Sequence, residues 1–187
     1  MPASNPPPNS RPWDALAAIV AALIGLMALL VSGYTAYVQR QQVRAQVWPY
    51  LLVGNFDTEF AIKILNKGVG PAIVRSVRMT VDGKPQTDWS HVLKALEVNV
   101  PSGGRRMTTI DNNVLSAGES VSMIKFTDET VYKNFLGAVR SRAILQICFC
   151  STLGECWLYD EHAPGEKVTQ DAVPQCPRLT GEQAFTD

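Results

Sequence analysis

The sequence predicts a mainly β chain: one N-terminal transmembrane helix followed by an antiparallel β-sandwich with short helical insertions. Three observations predict it. Residues 15–38, "ALAAIVAALIGLMALLVSGYTAYV", carry no charged side chain. From Pro49 onward the apolar residues fall in short runs with a period near two. Between those runs, two segments keep the helical spacing of three and four.

The helix comes first. As an α-helix, residues 15–38 span about 36 Å, enough to cross a hydrocarbon core of about 30 Å. Trp13 at one end and Tyr34 and Tyr37 at the other fit interfacial aromatic belts. The rival reading is a secretory signal peptide. That would have a shorter apolar core and a more basic start, although "VSG" ending at Gly33 suits a cleavage site. Length favours the anchor. Residues 1–14, "MPASNPPPNSRPWD", read as a disordered tail, too polar to bury a core. Residues 39–48 read as a helical stalk that ends at Trp48–Pro49, because proline restricts the residue before it. Ala17, Ala21, Gly25, Ala28 and Ser32 form a stripe of small residues, a candidate face for helix self-association.

Residues 49–162 carry the sandwich. "PYLLVGN", "TEFAIKILN", "AIVRSVRMTVDG", "SVSMIKF", "RAILQICFC" and "CWLYDE" read as strands. In the third, Ile73, Arg75, Val77, Met79 and Val81 share one side, and Asp82–Gly83 marks a turn. Trp89, Val92, Leu93 and Leu96 align on a short helix capped by Thr87 or Asp88. Val131, Phe135 and Val139 align on a second, capped by Thr127 or Asp128. Residues 163–187 read as a loosely attached polar tail.

"WPYL" after an apolar helix, followed by "LNKGVGPA", resembles uncharacterised bacterial single-pass membrane proteins. The residues that carry the likeness are Trp48, Pro49, Tyr50, Leu51, Asn66, Gly68, Gly70, Pro71 and Ala72. The resemblance implies an immunoglobulin-like β-domain and a bacterial source, and it implies no activity. In the loop itself, Asn66, Gly68 and Gly70 are expected to supply left-handed turn conformations, with Pro71 stiffening the start of the next strand.

Charge excludes one class of partner. Lys+Arg and Asp+Glu balance at 17 each among 187 residues, so no basic face for nucleic acid is predicted. The bilayer is the expected partner, with a protein partner or self-association through the helix beside it. Gly68-Val69-Gly70 lacks the third glycine of a dinucleotide loop. Arg105 and Arg106 read as a solvated loop rather than an anion site. Asp160, Glu161 and His162 read as a charged strand end, against a hydrolase reading centred on Asp160. His91 falls on the polar side of its helix. No catalytic residue, metal ligand or cofactor is assigned.

The cysteines carry the remaining chemistry. Cys148, Cys150 and Cys156 lie within "QICFCSTLGECWLYDE", and Cys176 follows later. "STLGE" is a hairpin-length loop; if Cys150 opposes Cys156, their Cα atoms lie about 4.5–5.5 Å apart, within disulfide range. Cys148 and Cys150 are two apart on one strand, with parallel side chains that cannot bond each other. Cys148 is then free or bonded to Cys176. Reduced core thiols and a metal site remain the other readings, and C-x-C along a strand suits zinc poorly. No C-x-x-C is present.

The function these features predict is a membrane-anchored, non-enzymatic module for protein interaction or scaffolding. The alternative is a cysteine-based metal or redox sensor. Arg40 and Arg44 lean toward a cytoplasmic domain by the positive-inside rule. Disulfides lean the other way and are given more weight. The expected location is the inner membrane, with the C-terminal domain periplasmic.

Overall fold

The computed structural model describes residues 12–161 and 167–186. The chain divides into two units, Met1–Val43 and Arg44–Asp187. Helix α1, Pro12–Gln46, makes up the described part of the first and contributes its last residues to the second. It is long and apolar enough to cross a membrane, and its most apolar window is wholly unburied. The helix starts three residues before the predicted span. Pro12 stands at its first position, where a missing N–H costs nothing, and Asp14 favours the positive end of the dipole. Residues 1–11 of the predicted tail lie outside the described residues. The stalk also stops sooner than predicted, at Gln46, because Pro49 disfavours helical geometry at Trp48.

The second unit contains ten described strands: β1 (Leu51–Phe56), β2 (Ala61–Asn66), β3 (Ala72–Val81), β4 (Lys84–Gln86), β5 (Arg105–Met107), β6 (Val114–Leu115), β7 (Ser120–Phe126), β8 (Ala143–Cys150), β9 (Cys156–Asp160) and β10 (Thr169–Val173). They form two antiparallel sheets. One has the order β1-β2-β7-β5; the other has the order β10-β9-β8-β3-β4, with β6 also pairing β3. The long strands are those whose alternation is plain in the sequence. β4, β5 and β6 hold two or three residues each and exist by pairing with longer neighbours. Arg105 and Arg106 therefore sit on strand β5, opposite Phe126 and Lys125, and not in the loop predicted for them.

Both sheets contribute to one core. Ile62 and Ile64 of β2 and Ile124 of β7 join Val77 and Met79 of β3 and Ile147 and Phe149 of β8 in a single buried cluster. The predicted face of β3 needs one correction. Val77, Met79 and Val81 are buried, but the buried apolar residues before them are Ala72 and Val74, not Ile73 and Arg75. The register against β8 shifts between Val74 and Ser76, leaving Arg75 as the extra residue of a β-bulge. One inserted residue reverses the inside and outside of everything before it.

Two helices pack on this core. α2, Trp89–Ala95, is capped by Asp88, whose Oδ1 accepts from His91 N at 2.9 Å. α3, Glu129–Arg142, is capped by Asp128, whose Oδ1 accepts from Val131 N at 2.9 Å. Each cap satisfies an amide that the helix start leaves unpaired. The buried residues of α3 are Tyr132, Phe135 and Leu136, with Val131 and Val139 partly buried beside them. Tyr132 Oη donates to Asp57 Oδ1 at 2.7 Å, tying α3 to the turn between β1 and β2.

Residues 163–166 and 187 of the predicted tail lie outside the described residues; residues 167–186 are not loosely attached. Residues 169–173 form β10 on the edge of β9, in register from Thr169–Asp160 to Val173–Cys156. Phe185 N donates to Val77 O at 3.0 Å, and its ring packs edge-on against Trp89 at 5.2 Å with only 5% of its surface exposed. Apolar burial and strand pairing outweigh the polar composition of this segment.

Candidate functional site

The four cysteines meet on the outer face of the larger sheet. Along β8, Ile147 and Phe149 point into the core, so Cys148 and Cys150 point the other way. The hairpin to β9 turns through a three-residue loop. Gly154 N donates to Ser151 O at 3.0 Å, Ser151 N donates to Glu155 O at 2.8 Å, and Gly154 takes φ +79°, which glycine adopts without steric cost. That turn sets Cys150 directly opposite Cys156. The two are joined by a disulfide with Cα atoms 4.0 Å apart, closer than the 4.5–5.5 Å expected from strand spacing. Cys148 is bonded to Cys176, with Cα atoms 5.6 Å apart. Sγ of Cys150 lies 3.7 Å from Sγ of Cys176, so the two bonds are in van der Waals contact.

Cys150, Cys156 and Cys176 line an open cleft of about 640 Å³ together with Arg75 and Arg178, and among the described residues no carboxylate lines it. Arg75 reaches this cleft from the β-bulge described above, beside Cys148 and Cys150. The sulfurs of Cys150, Cys156 and Cys176 all lie within 4.8 Å of one another. With both disulfides formed they offer no thiolate, so a metal could be held here only after reduction.

The loop at Asn66 is built around its side chain. Asn66 is fully buried. Its Nδ2 donates to Gly70 O at 2.8 Å and Leu115 O at 3.0 Å; its Oδ1 accepts from Gly68 N at 3.0 Å and Tyr50 N at 3.2 Å. Neither Asn66 nor Gly68 nor Gly70 has a positive φ, contrary to the left-handed turns expected of them. The glycines are there for closeness. A Cβ on Gly68 would meet Trp48 O and Tyr50 N at 2.4 Å, and one on Gly70 would meet Val47 C and O at 2.2 Å. Lys67 N donates to Tyr50 O at 2.7 Å and Val69 N to Trp48 O at 3.0 Å. Pro71 follows this contact and leads into β3. The "WPYL" and "LNKGVGPA" segments are thus one contact.

The acidic strand end divides between two faces. Asp160 Oδ2 accepts from Gln146 Nε2 at 2.9 Å. Glu161 lines a cavity of about 120 Å³ beside Arg140, Met79, Met123 and Trp89, and burial raises its carboxyl above the usual range. Among the described residues, none of those lining this cavity is Ser, Thr, Cys or His. His162 lies outside the described residues. His91 is exposed and contacts Asp88 and Thr87. Ala17, Ala21, Gly25, Ala28 and Ser32 lie exposed along α1, and a Cβ on Gly25 would meet nothing within 4 Å.

One feature went unread in the sequence, and a second was read only as an alternative. The β-bulge that aims Arg75 has no local signature. The attached tail had signals in Cys176, whose bond to Cys148 was one of two options, and in Phe185, an aromatic residue in a largely polar stretch. In comparisons with known proteins, no family model, no curated protein and no solved structure matches this chain.

Proposed function

We propose that the chain is a membrane-anchored, non-enzymatic module for protein interaction or scaffolding, in which an immunoglobulin-like β-sandwich is held at a bacterial inner membrane on the periplasmic side. The observation that carries this reading is a folded two-sheet unit, closed by two disulfides, in a chain with one apolar helix of membrane-spanning length. Disulfides persist in oxidising compartments, which supports the periplasmic side. The bilayer is the first partner, through α1. A C-terminal reporter fusion that is active only in an oxidising compartment tests the location. Cross-linking in intact cells followed by purification tests the interaction; turnover of a substrate by a chain that captures no partner overturns it.

A second reading is a cysteine-based metal or redox sensor at the membrane. The specific observation that favours it is the 3.7 Å contact between the two disulfides on an open cleft.

A further inference from the structure

We propose that the four cysteines form a thiol–disulfide exchange centre that takes an anionic low-mass thiol, of the charge and size of reduced glutathione. The proposal rests on the second reading above, cysteine redox chemistry, and is independent of the interaction module.

Geometry supplies the first part of the argument. Cys150 Sγ and Cys176 Sγ, which belong to different bonds, are 3.7 Å apart. A new bond between them needs an approach to about 2.05 Å, within the reach of side-chain rotation. Cys148 and Cys150 point the same way from one strand, so Cys176 can pair with either without the strand moving.

Accessibility and the 3.7 Å contact together set the order of events. Cys148 and Cys150 are buried, whereas Cys156 and Cys176 are both partly exposed on the cleft; of the two, only attack at Cys156 frees a thiolate, that of Cys150, lying against the other bond. The thiolate of a first glutathione attacks Cys156 Sγ. The Cys150–Cys156 bond breaks, a mixed disulfide forms on Cys156, and Cys150 leaves as the thiolate. Cys150 then attacks Cys176 Sγ. The Cys150–Cys176 bond forms, the Cys148–Cys176 bond breaks, and the electron pair and a proton pass to Cys148. A second glutathione attacks the glutathione sulfur of the mixed disulfide and frees the Cys156 thiol. Two glutathione thiols are oxidised to one disulfide, and one protein disulfide becomes the thiols of Cys148 and Cys156. Electrons, protons and sulfurs balance.

Charge supplies the second part. Arg75 and Arg178 line the cleft with the three sulfurs, and among the described residues no carboxylate joins them. Nearby cations favour thiolates and so favour the leaving and attacking forms of cysteine. They also raise the local concentration of a thiol that carries carboxylates. The bulge at Arg75 has a role in this reading: an added residue in β3 turns an arginine toward the sulfurs.

The test uses the full-length protein in detergent micelles, treated with reduced glutathione, quenched with acid, alkylated and peptide-mapped. The two-electron-reduced fraction is expected to contain a Cys150–Cys176 bond, with Cys148 and Cys156 alkylated. A reduced fraction that keeps Cys148–Cys176 while Cys150 and Cys156 are alkylated overturns the exchange step but leaves the redox reading standing. No reduction overturns both. Cys156→Ser frees Cys150 without any reductant and is expected to yield both Cys148–Cys176 and Cys150–Cys176 peptides; the former alone counts against exchange. Glutathione is expected to react about tenfold faster than cysteamine at equal thiolate concentration, an advantage that the Arg75→Ala, Arg178→Ala double variant removes. Equal rates with the wild-type chain overturn the assignment of an anionic thiol.

Discussion

Gly70 lies so close to Val47 that a single added methyl group would sit 2.2 Å from the Val47 carbonyl carbon. The neighbour is backbone, so it cannot rotate aside. Gly70→Ala is expected to destabilise the domain by about 3 kcal/mol or more, read from chemical denaturation followed by tryptophan fluorescence. Gly137→Ala in α3 is the control. A Cβ there meets nothing within 4 Å, and alanine is the better helix former, so a gain of about 0.5–1 kcal/mol is expected.

Asn66 makes four hydrogen bonds with one amide, two as donor and two as acceptor. Asn66→Asp keeps the shape and places an acceptor against the carbonyls of Gly70 and Leu115. A loss of about 3 kcal/mol is expected, because the group is fully buried. A melting temperature unchanged from wild type would show that the amide is not what joins the loop to the lead-in segment.

The two disulfides close loops of different length. Cys148 and Cys176 are 28 residues apart; Cys150 and Cys156 are 6 apart. Chain entropy predicts that replacing the first pair with alanine costs about 3.6 kcal/mol and the second about 2.4 kcal/mol. Denaturation of the two double variants, side by side, checks the order.

Phe185 anchors the end of the described chain. Its ring fills a place beside Trp89, so Phe185→Ala is expected to cost about 3 kcal/mol and to speed amide exchange at Phe185, whose N–H pairs with Val77. A change confined to the last few residues, with the global stability intact, would mean the ring does not belong to the core.

Glu161 has its carboxyl raised from 4.5 by burial. The folded state therefore holds its proton more tightly than the unfolded state does. This contribution to stability is full below about pH 4.5 and is lost as pH rises through the folded value. Glu161→Gln is expected to flatten that decline and to stabilise the chain at pH 7. Denaturation midpoints of both chains from pH 3 to pH 8 give the comparison.

Sequence alone determined the features that depend on near neighbours. The charge-free stretch specifies a helix of spanning length. Period two specifies the long strands β2, β3 and β8, and Asp88 and Asp128 announce their helices by the amides they cap. The opposition of Cys150 and Cys156 follows from a loop of hairpin length. Tertiary structure decided what depends on distant partners. It placed Gly68 and Gly70 against residues some twenty positions earlier, which gives those glycines a role that local turn chemistry does not contain. It bonded Cys176 to Cys148 and seated Phe185 beside Trp89, turning a polar-looking tail into part of the fold. It placed one bulge in β3 that sends Arg75 to the sulfurs. The physical reason is common to all of them. Periodicity and capping are properties of a few adjacent residues, whereas close approach, register shifts and pairing across a sheet are set only when separate segments compete for the same space.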